Sequence, residues 1–140
     1  MSKNNFQELT SLFFETKQTI RANLPRRPDP NAWMRCETLR FIDEHEQPTM
    51  REIAKHLQVT APSATSLMRK LFELGWIERT SSGSDKRIVR ISLTADGRRE
   101  VVHYRKQGEK TMKKVFSKLP ERDLAHLKRI LRTVNTIHKS

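Results

Sequence analysis

Apolar side chains recur at helical intervals from early in the chain: Phe6, Leu9, Phe13 and Ile20 share one stripe, and Asn5 followed three residues later by Glu8 reads as a helix cap. Leu24-Pro25 ends that helix, since the residue before a proline is pushed out of the helical region. Pro25-Arg26-Arg27-Pro28-Asp29-Pro30 places three prolines in six residues, which predicts a stiff, exposed connector. A second helix is predicted from about Asn31 to Glu44, with Trp33, Cys36, Leu39 and Ile42 along one side.

Thr49-Met50-Arg51-Glu52 has the pattern of a capping box, so a short helix begins there, turns Ile53, Ala54 and Leu57 inward and stops near Gln58. Thr60 is placed to cap the next helix, Pro62 falls in its first turn, and Gly75 supplies a left-handed end. Between them Ala64, Leu67, Met68, Leu71 and Leu74 form a stripe expected to be buried. After Gly75 the period changes from helical to alternating. Trp76 to Thr80 predicts one strand, Val89, Ile91 and Leu93 predict one face of a second, and Ser81-Ser82-Gly83-Ser84 is a turn signal. Thr94 should cap a long helix reaching about Lys118, and Pro120 opens a last one carrying Leu124, Leu127, Ile130, Leu131, Val134 and Ile137. No internal repeat or low-complexity tract interrupts this order.

Two short helices joined by a three-residue turn and followed at once by a hairpin define a fold: mainly α with a small β-hairpin wing, a winged helix-turn-helix. Ala54 leaves room where the two helices cross, Val59 can plug the turn, and Leu67 and Leu71 anchor the second helix. Gln58 stands where such turns often carry glycine. The buried stripe forces Pro62, Ser63, Thr65, Ser66, Arg69 and Lys70 outward, and small hydroxyl side chains there let a helix sit deep in a DNA major groove. The same pattern also suits an ordinary solvent-facing helix, and some winged helices serve only protein contacts.

The hairpin adds a more specific signal. Asp85-Lys86-Arg87, then Leu93-Thr94-Ala95-Asp96-Gly97-Arg98, together with the preceding Leu74-Gly75-Trp76-Ile77, resemble the MarR family of regulators, and the resemblance extends over the whole chain. It implies a homodimeric DNA-binding transcription regulator, more often a repressor, that reads a pseudo-palindromic operator and responds to a small molecule. It also implies pairing through the first and last two helices: residues 1–24 and 95–140 would be dimerisation helices and 31–94 the DNA-binding lobe. Arg87 matches the family's wing arginine, a group suited to the negative potential of a narrow minor groove. Asp85, which phosphates would repel, looks like the carboxylate that orients Arg87, with Lys86 beside them facing DNA. Gly108, inside the fifth helix, marks either a close helix crossing or an exposed face.

Composition agrees with this picture and removes others. At 140 residues, 35% hydrophobic and with a mean hydropathy of −0.75, the chain is about one domain with a thin core, which favours burial against a partner chain. The formal charge is +12, and residues 94–140 hold thirteen basic against five acidic side chains, a balance that attracts polyanions. The resemblance implies an effector site between the paired helices and the DNA-binding lobe, with Trp33 as an aromatic wall, and the charge suits an anionic or phenolic ligand. Residues 1–21 lack the pattern of a signal peptide and no stretch approaches the roughly 20 apolar residues of a membrane span, so a soluble cytoplasmic protein is expected.

Cys36, the one cysteine, reads as a small core hydrophobe rather than a redox switch, having no second thiol to resolve a sulfenic acid. His45, His56, His103, His126 and His138 show no metal spacing, and neither a phosphate-binding glycine loop nor a nucleophile–base arrangement appears, so no enzyme, metal or cofactor is expected. The competing reading is a binding module without effector control, either a nonspecific architectural DNA binder or a protein-contact winged helix.

Overall fold

Among the described residues eight elements follow one another in the predicted order: α1 (Lys3–Asn23), α2 (Ala32–Glu44), α3 (Met50–Leu57), α4 (Ala61–Glu73), β1 (Ile77–Ser81), β2 (Val89–Leu93), α5 (Ala95–Val115) and α6 (Glu121–Thr136). The computed structural model describes residues 3–25, 31–81 and 87–137, so the connector predicted over 26–30, most of the hairpin turn, and His138 lie outside the described residues. Two compact units make up the chain, Arg26–Lys106 and Met1–Pro25 with Gln107–Ser140. No helix among the described residues is long and apolar enough to cross a membrane. No group of three His, Cys, Asp or Glu among them could hold a metal ion.

Element ends follow local chemistry. Thr49 Oγ1 accepts from the Glu52 amide at 3.2 Å and Thr60 Oγ1 from the Ser63 amide at 3.3 Å, each satisfying a donor that the first helical turn leaves open. Of the capping box only the Thr49 arm forms among the described residues. Gly75 closes α4 with φ +73°. Gln58 ends α3 in the left-handed region, φ 56° and ψ 42°, which explains why glycine is favoured in such turns and places a strained side chain here. Asn5 lies inside α1, which begins two residues before it. β1 starts at Ile77 rather than Trp76, and α5 stops at Val115, short of Lys118.

The core belongs to the unit Arg26–Lys106. Leu39, Phe41, Ile42, Ile53, Met68, Leu71, Ile77, Ile91, Leu93 and Val101 form one buried cluster, with Leu57, Phe72, Trp76 and Tyr104 packed on it. The inner face of α2 differs from expectation. Leu39 and Ile42 are buried, but the stripe continues back through Thr38 and Arg35, not through Cys36 and Trp33; Trp33 is 68% exposed. Thr38 tolerates burial because its hydroxyl donates to the Met34 carbonyl at 2.7 Å. Leu74 and Val89, expected inward, are exposed, since each sits at the end of its element.

β1 and β2 pair antiparallel with Ile77 opposite Leu93 and Arg79 opposite Ile91. The hairpin is tied down at its base. Thr94 N donates to the Trp76 carbonyl at 3.0 Å, Thr94 Oγ1 donates to the Gly75 carbonyl at 2.6 Å and accepts from the Gly97 amide at 3.1 Å. A Cβ on Gly97 would lie 1.9 Å from the Trp76 oxygen, so the Leu-Thr…Gly pattern seen in the sequence is a packing device joining the end of α4 to the start of α5.

In the unit formed by Met1–Pro25 and Gln107–Ser140, Thr111 is the one buried side chain among the described residues. Phe6, Leu9, Phe13 and Phe14 on α1 and Ile130, Leu131 and Val134 on α6 are all exposed. Among the described residues a Cβ on Gly108 would meet nothing within 4 Å, so no close crossing among them requires that glycine.

Candidate nucleic-acid interface

α4 buries Ala64, Met68 and Leu71 and half-buries Leu67 and Phe72, which fixes its rotation. Pro62, Ser63, Thr65, Ser66, Arg69 and Lys70 are consequently all exposed on the other side. Thr65 Oγ1 donates to the Ala61 carbonyl at 2.9 Å, and Thr60 Oγ1 donates to Ser63 Oγ at 3.0 Å, so these hydroxyls keep acceptor capacity toward solvent. Arg69 and Lys70 supply two adjacent cations, with Glu73 the first carboxylate after them.

Arg87 is exposed in the turn that leads into β2. Asp85 and Lys86 lie outside the described residues. What holds the wing is visible at its root: the Ile91 amide donates to the Pro48 carbonyl at 2.9 Å, Thr49 bridges Arg90, and Arg90 Nη1 donates to the Gln47 carbonyl at 3.0 Å. Gln47 takes φ 44° to present that carbonyl. Sequence patterning missed Gln47 and Arg90, because the bond spans 43 residues and leaves no local signal. It also missed Arg79, whose guanidinium lies 4.8 Å from the centre of the Phe72 ring.

α3 is joined to α2 through a polar cluster. Glu37 Oε1 accepts from His56 Nε2 at 2.9 Å and from Arg40 at 2.6 Å, while Arg40 also pairs with Glu44 at 2.9 Å. Phe41 stacks on His56 with ring centres 4.2 Å apart. Partial burial works to raise the Glu37 pKa, but the hydrogen bonds from Arg40 and His56 overcome it and hold the carboxyl below its usual range.

Trp33 borders a small cavity of about 160 Å³, with Cys36, Glu37, Arg40, Val101, Tyr104 and Arg105. Both arginines are engaged within the chain, Arg40 by Glu37 and Glu44 and Arg105 by Asp43 at 2.7 Å. This space is smaller than the roughly 300–1,000 Å³ of pockets that enclose drug-sized ligands.

A family model described as MarR family matches residues 34–89, which run from α2 through both helices of the helix-turn-helix to the start of β2. Over those residues the chain is similar to the MarR family. An uncharacterized HTH-type transcriptional regulator of Bacillus subtilis, YpoP, is 32% identical over 89 residues, 64% of this chain and 63% of its own length. YwhA of the same organism is 31% identical, again over 63% of its length, so the chain spans less than two thirds of either relative. A MarR family protein from Bacillus stearothermophilus superposes with a TM-score of 0.79 at 20% identity, covering 100% of this chain and 99% of that one. Streptococcus pneumoniae FabT, solved in complex with DNA, gives 0.70 at 22% identity, covering 98% and 96%. At such identities the structural likenesses establish the fold, a MarR-type winged helix with its hairpin.

Proposed function

We propose that the protein is a sequence-specific DNA-binding transcription regulator that acts as a homodimer on a pseudo-palindromic duplex, most simply as a repressor. The observation that carries this reading is the outer face of α4, where Pro62, Ser63, Thr65, Ser66, Arg69 and Lys70 stand exposed beside a hairpin bearing Arg87. Small hydroxyls admit the helix to the major groove, Arg69 is suited to a guanine edge, and Arg87 to the minor groove, with Lys86 and the arginine-orienting Asp85 completing the wing. YpoP is named as a transcriptional regulator and FabT was solved with DNA, which supports the same reading.

The homodimer rests on the apolar faces of α1 and α6. Phe14 is 63% and Val134 52% exposed, and contiguous apolar helix faces of this kind are stabilised by covering them with an identical partner. Residues 1–24 and 95–140 would supply the pairing helices, and 31–94 the DNA-binding lobe. Effector release is the finer part of the proposal: Trp33, with Tyr104, walls a cavity suited to a small aromatic acid or phenol, which as an anion would have to draw Arg40 or Arg105 from its present carboxylate. That competition and the small volume favour a second reading, in which DNA binding proceeds without effector control.

Selection of duplexes from a random pool tests the main proposal. A recovered inverted repeat with half-sites about one helical turn apart is expected, and affinity should collapse when half a turn is inserted between them. Recovery of no preferred sequence, or sedimentation of a 16.5 kDa species alone at micromolar concentration, would refute it. A panel of aromatic acids that alters neither DNA affinity nor tryptophan fluorescence would decide for the second reading.

A further inference from the structure

We propose that Arg79 is a further DNA-contacting residue, one that holds a backbone phosphate between the α4 groove contact and the wing. This rests on the DNA-binding reading above. β1 begins on the core with buried Ile77, and the strand's two-residue period returns Arg79 to that same face, opposite the buried Ile91. A strand leaving a core at this position would ordinarily carry an apolar residue. Here the guanidinium lies over Phe72 on α4, with the charge 4.8 Å from the ring centre and the residue exposed.

The charge stands in a cleft that Thr65 and Arg69 also line, so it shares its opening with the outward face of α4. Glu73 and Glu78 line the cleft as well, yet neither forms an ion pair with Arg79 among the described residues. An arginine held over an aromatic ring gives up rotamer freedom before binding, which makes a phosphate contact less costly than one from a mobile lysine. Contacts to phosphates carry no base information; they fix where a helix lies in its groove. Arg79, anchored to α4 while rooted in the wing strand, would set both elements against one point of the DNA backbone.

The test is equilibrium binding, over a series of salt concentrations, to the duplex selected by the wild type and to a random duplex of equal length. Arg79→Ala should weaken both by about tenfold and reduce the slope of log K against log[salt] by about 0.9 per half-site. Arg79→Lys should restore the slope, and Phe72→Leu should keep the slope while losing affinity severalfold, because the cation remains but its platform is gone. An Arg79→Ala variant that keeps the wild-type slope would overturn the proposal even if its affinity fell, since a purely structural arginine leaves the count of neutralised phosphates unchanged. A wild type that binds no duplex would overturn the regulator reading and this one together, whereas an unchanged slope in the variant overturns only this one.

Discussion

Gly97→Ala sets two effects of opposite sign against each other. Gly97 lies in the first turn of α5, and alanine in a helix is worth up to about 1 kcal/mol over glycine. The new methyl, however, would sit 1.9 Å from the Trp76 carbonyl oxygen, where ordinary contact begins at 3.4 Å, so backbone must yield by roughly 1.5 Å. That oxygen accepts the Thr94 amide, and moving it also disturbs the Thr94 bonds to Gly75 and Gly97. Overpacking of this kind costs about 1–3 kcal/mol and a weakened buried hydrogen bond about 1 more. The clash therefore wins, and a net loss of about 1–3 kcal/mol is expected from urea unfolding at constant m-value. Gly108→Ala is the matched control: nothing among the described residues lies within 4 Å of its new methyl, so it should gain about 0.5–1 kcal/mol. A Gly97→Ala variant as stable as wild type would refute the assignment of this glycine to close packing.

Gln58→Gly should raise stability by about 0.5 kcal/mol, since relief of a left-handed residue, worth about 1–2 kcal/mol, exceeds the added flexibility of the unfolded chain; a drop in the unfolding midpoint would count against this. Glu37 has a depressed carboxyl pKa, so its stabilising contribution is complete above the unfolded value of about 4.3 and disappears as pH falls through the lower folded value. The stability difference between wild type and Glu37→Gln should thus shrink on acidification below about pH 4, and a difference that is constant with pH would contradict the pairing with Arg40 and His56. Arg69→Ala should cost about 1–3 kcal/mol of binding and relax preference at one base pair per half-site, whereas Arg87→Ala should weaken binding at flanking A·T-rich sequence. Wild-type affinity in the Arg87 variant would remove the wing from the interface.

The outward face of α4 was legible because its determinants are local. Ala64, Met68 and Leu71 fall on one stripe, and that stripe alone decides which residues face away. Helix starts at Thr49 and Thr60 were legible for the same reason, each being a side chain bonding an amide three residues on. Hydrophobic pattern failed where polar residues occupy inner positions. Arg35 and Thr38 are buried on α2, so counting apolar residues drew the face toward Trp33, which lies in the open. Arg79 leaves no trace in the apolar alternation because a charged side chain occupies the strand position opposite buried Ile91. The wing root could not be read at all, because a bond from Arg90 to the Gln47 carbonyl depends on the loop between α2 and α3 arriving beside β2.

These ties separate the residues that fix the shape of this surface from those proposed to contact DNA. The position of the hairpin against α3 and α4 depends on backbone groups of Pro48, Ile91, Trp76 and Thr94, with Thr94 and Arg90 the side chains that complete the set. The rotation of α4 depends on residues that are 2% exposed or less. None of the outward side chains, Ser63, Thr65, Ser66, Arg69 or Lys70, enters that core. Substitutions among them should therefore fall within about 0.5 kcal/mol of wild-type stability, as exposed positions usually do. A surface that can change its hydrogen-bonding groups without changing its shape is the arrangement a sequence-reading helix requires, and loss of folding from a conservative exchange at Ser66 or Thr65 would show that the face serves packing instead.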